Sequence, residues 1–131
     1  MATDEQADEV FKIAEMLAQH GTDSGSETAY RSAVSRGYYS VFLAGRRRAN
    51  ISNPNDVHSA VISACHRKLG YVVTGKFRML KELRVAADYF VDPAPNIDAK
   101  PSHDLADWKE NWNYAQASAT HIRKKLKEWM P

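Results

Sequence analysis

Arg84 and Asp88 stand four residues apart in "KELRVAADYF", a spacing that puts two side chains on one helix face and lets them pair. Phe77, Leu80, Arg84, Ala87 and Val91 share a stripe, so Arg84 lies on a largely apolar line where a guanidinium needs an acceptor. The stretch "AYRSAVSRGYYSVFLAGRRRAN" (29–50) reads as another helix, with Gly37 at its centre and Arg46, Arg47 and Arg48 at its end. Tyr30, Val34, Tyr38, Val41 and Phe42 fall on one face of it and direct Tyr38 into a core, while Arg36 and Tyr39 edge that face. An Asp–Arg–Tyr network joining the two helices follows, either as a device that fixes helix register or as a ligand site. His58 opens a further helix. It is the candidate acid/base, with Arg36 or Arg84 stabilising the charge of a phosphorane-like state; the alternative is a surface histidine of a first turn.

Other chemistries find less support. A single Cys65 excludes an internal disulfide and a cysteine-based zinc site, and no two histidines sit at i, i+4. "VTGK" (73–76) lacks the upstream glycine spacing of a phosphate-binding loop. No metal or cofactor is expected. Basic clusters occur at Arg46, Arg47 and Arg48, at Arg67 and Lys68, at Lys76, Arg78 and Lys81, and at Arg123, Lys124, Lys125 and Lys127. They suit phosphate contacts, although a charged helix face is also simply solvated.

The elements that must position these residues are helical. A first helix over about 3–20 carries Ala7, Val10, Ala14 and Leu17, widened by Phe11 and Ile13, and Gly21 is its stop signal. Ser24 or Ser26 caps the second helix, which runs to about residue 48. Pro54 bars its continuation, and Asn55 or Asp56 caps a third helix to about residue 69 with Val57, Val61, Ala64 and Leu69 on its apolar side. The glycine-flanked "GYVVTG" reads as a loop. A fourth helix spans about 76–91 and is ended by the proline-rich "DPAPNIDAKP". Leu105, Trp108, Trp112, Ala115, Ala119, Ile122, Leu126 and Trp129 recur by threes and fours and mark the last helix. The prediction is one all-α domain over 1–131, an antiparallel bundle of about five helices, with Ala115 and Ala119 packed on Ala33 and Gly37. The same small-residue seam also suits a dimer contact.

Three segments in order, "SAVSRGYYSVFLAGR", "VHSAVISACHRKL" and "LKELRVAADYF", resemble a prokaryotic branch of the HEPN family, whose pattern is an SRAYYA-x-F helix, a His opening the next helix and an R-x-x-ADY segment. The resemblance covers about residues 30–90. It implies a small, commonly dimeric helical bundle that binds RNA or a nucleotide. It also implies a possible toxin–antitoxin or defence-type two-gene system with a nucleotidyltransferase-type partner. Ribonuclease members carry R-x(4–6)-H, yet here His58 and His66 have Arg48 as the nearest upstream arginine, His103 and His121 have Arg84, and His20 has none. Leu43 also stands where relatives often have His. The leading expectation is therefore a homodimeric binder of RNA or nucleotide, or the partner half of such a pair, with Arg36, Tyr39, Arg46, Arg47, Arg48, Arg84 and Asp88 as contacts. An endoribonuclease toxin needing no metal, with a rearranged site of Arg36, His58, Arg84 and Asp88, is the second. A structural interaction protein docking through its Trp-rich last helix is the third.

With 44% hydrophobic and 26% charged residues over 131 positions, the chain has globular values. No apolar run approaches a membrane span and "MATDEQADE" is no signal peptide, so a cytoplasmic protein without membrane contact is expected. Residues 1–29 hold seven acids against Lys12 alone, whereas the rest holds 17 Lys and Arg against 9 acids. Acids favour helix N-termini; such a helix can also lie against a basic body.

Overall fold

The computed structural model describes residues 4–51, 57–89 and 107–129. They form five helices: α1 (Asp4–Ser24), α2 (Glu27–Ala49), α3 (Val57–Leu69), α4 (Tyr71–Tyr89) and α5 (Trp108–Glu128). The described residues contain no strand, so the fold is an all-α bundle. The expected caps Asn55 and Asp56, together with Pro54, Leu105 and "DPAPNIDAKP", lie outside the described residues.

Local chemistry sets the helix ends. Ser26 Oγ accepts the Ala29 N–H at 3.1 Å and starts α2. Asn50, at φ 55°, ends it, and the Arg46 Nε donates to the Ile51 carbonyl at 2.9 Å. Asp107 caps α5 by accepting the Glu110 N–H at 3.0 Å.

Two boundaries differ from the sequence expectation. α1 does not stop at Gly21 but runs on to Ser24, with Gly25 at φ +68° supplying the left-handed exit. Gly21 is instead a packing point: a Cβ there would stand 3.0 Å from the Tyr30 ring of α2. "YVVT" is helical rather than a loop, because Gly70 at φ +86° turns the chain at once into α4 and Val73 and Thr74 are buried in its first turn.

α2 is the central helix and packs against each of the other four. Its buried positions are largely small (Ala29, Ala33, Gly37, Ser40, Ala44, Gly45), which lets neighbours approach on several sides at once. The α5 stripe is as expected, with Trp108, Trp112, Ala115, Ala119, Ile122 and Leu126 all buried. On α1, Ala7, Phe11, Ala14 and Ala18 face the core, whereas Ile13 is 48% exposed.

The acidic first helix does more than favour its own dipole. Asp4 pairs with Arg48 at 2.6 Å and with Arg47 at 3.6 Å, while Asp8 pairs with Arg123 and, at 3.3 Å, with Lys127. The start of α1 is thus tied to the ends of α2 and α5, which fixes α1 antiparallel to both. Burial alone would raise the Asp8 carboxyl, but the hydrogen bonds and charges of Arg123 and Lys127 outweigh it and hold it below its ordinary 3.8.

The glycine expected to seat α5 on α2 is not the tightest. At Gly37 a Cβ would meet only the Trp112 ring, at an ordinary 3.5 Å. At Gly45 it would stand 2.9 Å from Val61 Cγ1, a β-branched side chain with little freedom to yield. Gly45→Ala should therefore destabilise by about 1–2 kcal/mol, overpacking exceeding the helix-propensity gain. Gly37→Ala should be neutral or stabilising by up to about 1 kcal/mol; urea denaturation of both variants checks the opposite signs. A depressed carboxylate adds stability above its unfolded pKa and loses it as pH falls through the folded one. Stability followed from about pH 6 to about pH 3 should consequently fall less steeply in Asp8→Asn than in the parent.

Candidate functional site

Tyr38 is fully buried on α2, and aromatic rings surround it. Phe42 and the His58 ring stack on it with centroids at 6.1 and 5.7 Å, and Phe77 of α4 meets it edge-on at 5.9 Å. Phe42 and His58 stack closer still, at 4.3 Å. The sandwich holds His58, half-buried in the first turn of α3, against α2.

The Tyr38 hydroxyl lies 2.6 Å from His58 Nδ1. Burial, opposed in part by Arg84, pushes the phenol well above its ordinary range, so it keeps its proton. No other acceptor for that proton is found among the described residues, and a buried hydroxyl left unpaired is costly. Tyr38 therefore donates to Nδ1, which places the proton of a neutral His58 on Nε2.

Arg84 approaches the same tyrosine from α4. Its guanidinium carbon lies 5.9 Å from the Tyr38 ring centre, 5.9 Å from that of Tyr39 and 5.8 Å from that of Tyr89. Its Nε stands 3.1 Å from Asp88 Oδ2, close enough for an ion pair but without hydrogen-bond alignment. Asp88 Oδ2 accepts the Ser35 hydroxyl at 3.1 Å, which ties α4 to α2. The Arg84 side chain is 18% exposed, and its terminal nitrogens have no hydrogen-bond acceptor among the described residues.

The site residues expected from sequence divide into three groups. His58, Arg84, Asp88 and Tyr39 come together around Tyr38. Arg36 stands on the exposed side of α2, outside the cluster. Its neighbour Ser35 is the residue that reaches Asp88. Arg46, Arg47 and Arg48 lie about two to three turns further along α2. There they are engaged internally, Arg48 also donating to the Trp129 carbonyl at 3.1 Å.

Three contributors were missed. Ser35 has a helical signal, since 35, 38, 39 and 42 follow the i, i+3, i+4, i+7 rule. Tyr89 is 67% exposed and could be read as the ring at the open edge of the pair Arg84 and Asp88. Arg31 donates to the Ala86 and Ala87 carbonyls at 3.0 and 3.1 Å and lies 5.0 Å from the Trp108 ring, so it closes the last turn of α4. Nothing local in the sequence marks that role.

Burial pushes the Cys65 thiol up to about 11, which keeps it out of nucleophilic chemistry. Among the described residues no group of three or more His, Cys, Asp or Glu is placed to hold a metal ion, and no helix is long and apolar enough to cross a membrane. No protein-family profile, curated protein or solved structure matches the chain.

Tyr38→Phe removes the buried hydrogen bond to His58 Nδ1 and should cost about 1–3 kcal/mol in chemical denaturation. The ¹⁵N spectrum of His58 should report an unprotonated Nδ1 in the parent and a mixture of tautomers in the variant.

Proposed function

We propose that the protein binds RNA or a nucleotide, with a phosphate taken at Arg84 and a base laid against the tyrosines beside it. One observation supports this best: a mostly buried guanidinium bordered by three tyrosine rings, whose terminal N–H groups find no acceptor among the described residues. Arginine offers five donors in a planar fork that matches phosphate, and charge-assisted bonds of this kind are the strong ones. Exposed Tyr89 and partly buried Tyr39 border the guanidinium, and base–aromatic stacking contributes about 1–3 kcal/mol per base. Asp88 faces Nε and does not engage the terminal nitrogens. The HEPN resemblance of the α2, α3 and α4 segments supports the same reading and extends it to a homodimer with a nucleotidyltransferase-type partner.

A specific observation favours endoribonuclease activity as a second reading. Arg84 and His58, too far apart in sequence for the family's R-x(4–6)-H pattern, both border the Tyr38 ring in space. One group to stabilise phosphoryl charge and one to move a proton are the minimum for such cleavage without metal.

Fluorescence anisotropy with a labelled oligouridylate tests the proposal. Arg84→Gln should weaken binding at least about tenfold, and should lower the slope of log affinity against log salt by about 0.7, the value for one phosphate contact on a single strand. Parent affinity in the variant, or binding indifferent to salt, would count against it. Incubating the same RNA with chelator separates the two readings. Intact RNA assigns binding alone, whereas cleavage abolished by both His58→Ala and Arg84→Ala assigns catalysis.

A further inference from the structure

α3 and α4 form a hairpin about Gly70, and a groove of about 300 Å³ opens between the first half of α3 and the middle of α4. Ser59 and Ser63 line it from α3, one turn apart, above Ile62. Arg78, Lys81 and Glu82 line it from α4. Ser59, Ser63, Arg78 and Lys81 make no hydrogen bond or ion pair with any described residue. Arg31, Arg46, Arg48 and Arg123 are all spent on carbonyls or carboxylates within the fold.

Arg78 and Lys81 are neighbours on one helix face, where like charges repel unless an anion lies between them. Two hydroxyls that can each donate a proton, opposite two cations that can only donate, complement a phosphate. Glu82 in the lining offsets one of the two charges. The groove is therefore a weak trap for a free anion and suits a phosphate that is tethered to something held nearby.

That anchor is one helical turn away. Lys81 and Arg84 are three residues apart on α4, and Ser59 follows His58 on α3. At 1.5 Å per residue the midpoint of Arg78 and Lys81 lies about 7 Å along the axis from Arg84. That is close to one nucleotide step along an extended single strand.

We infer that the groove between α3 and α4 holds a second phosphate, next along the strand from the one at Arg84. The ligand is then a single-stranded oligonucleotide of at least two phosphates rather than a mononucleotide. The inference rests on the proposed role of Arg84. Ser59 and Ser63 donate to the phosphate oxygens and Arg78 and Lys81 balance its charge. Glu82 lowers the groove's affinity for any anion, so that only one also held at Arg84 stays.

The test compares a labelled tetrauridylate with uridine monophosphate on the full chain, the parent against Arg78→Gln/Lys81→Gln and against Arg84→Gln. All three proteins are checked for parental circular dichroism, and both substituted cations lie outside the core. The double variant should bind the tetranucleotide at least about tenfold more weakly, with the salt slope reduced by about 1.4 for two lost cations. Its affinity for the mononucleotide should stay within twofold of the parent's. Arg84→Gln should weaken both ligands. Tetranucleotide binding unchanged in the double variant but lost in Arg84→Gln overturns the groove and leaves the role of Arg84 standing. Equal loss of mononucleotide and tetranucleotide in the double variant also overturns it, because the groove would then belong to the first phosphate. A parent chain that binds neither ligand overturns both readings.

Discussion

A phenol carried into the middle of an all-helical core must spend its proton inside the protein, because burial removes water as an acceptor and an unpaired buried donor is costly. Tyr38 meets this constraint by donating to His58 Nδ1, and much of the remaining arrangement follows. The bond holds the start of α3 against the centre of α2. It sets the His58 tautomer and leaves the phenyl face to Phe42, Phe77 and Arg84. Three helices converge on one side chain, and the polar groups of the candidate site are arranged around it. A network of this kind adds little net stability per bond but penalises every alternative packing that would strand a donor.

The second organising feature is how the cations are divided. At one end of the bundle Asp4 and Asp8 of α1 meet Arg47, Arg48, Arg123 and Lys127, and the arginine run that closes α2 is consumed there. Around His121 the cations outnumber the acids, Glu128 pairing with Lys125 at 3.7 Å. The His121 imidazole is held below its ordinary value first by burial and then by the charges of Lys76, Lys125 and Lys124. Partnering rather than count decides which basic residues are left open: the most basic stretch of the sequence, "GRRRAN", is engaged within the fold, Arg84 is paired through Nε alone, and Arg78 and Lys81 have no ion pair among the described residues.

Helix number and the α5 stripe were legible because a three-four repeat of Trp, Ala, Ile and Leu leaves few alternatives. The burial of Tyr38 and the pairing of Arg84 with Asp88 were legible for the same reason, being consequences of phase along one helix. What failed were features decided between helices. Gly21 looked like a stop because glycine ends helices, but the ring of Tyr30 needed its missing side chain. "GYVVTG" looked like a loop because valine and glycine disfavour helix, yet burial of Val73 and Thr74 outweighs a propensity of a few tenths of a kcal/mol per residue. Arg36 is expected at the edge of the face that Tyr38 defines but stands exposed, and the i, i+3, i+4 phase shared with Tyr38 and Tyr39 falls on Ser35. Arg31 was invisible because its partners are main-chain carbonyls more than fifty residues away.

The missing R-x(4–6)-H spacing bears on mechanism differently once the helices are packed. A linear motif is a way of placing two groups on adjacent turns, and its absence excludes only that route. Here the positions are delivered by tertiary contact, with His58 from α3 and Arg84 from α4 meeting at a ring supplied by α2. Such a site depends on the bundle staying closed. Loosening the contact between α2 and α3, where Gly45 admits Val61, would separate the histidine from the arginine without touching either. Core packing on the Gly45 side and the polar cluster on the Tyr38 side are therefore coupled through one helix. A motif confined to a single helix would feel no such coupling.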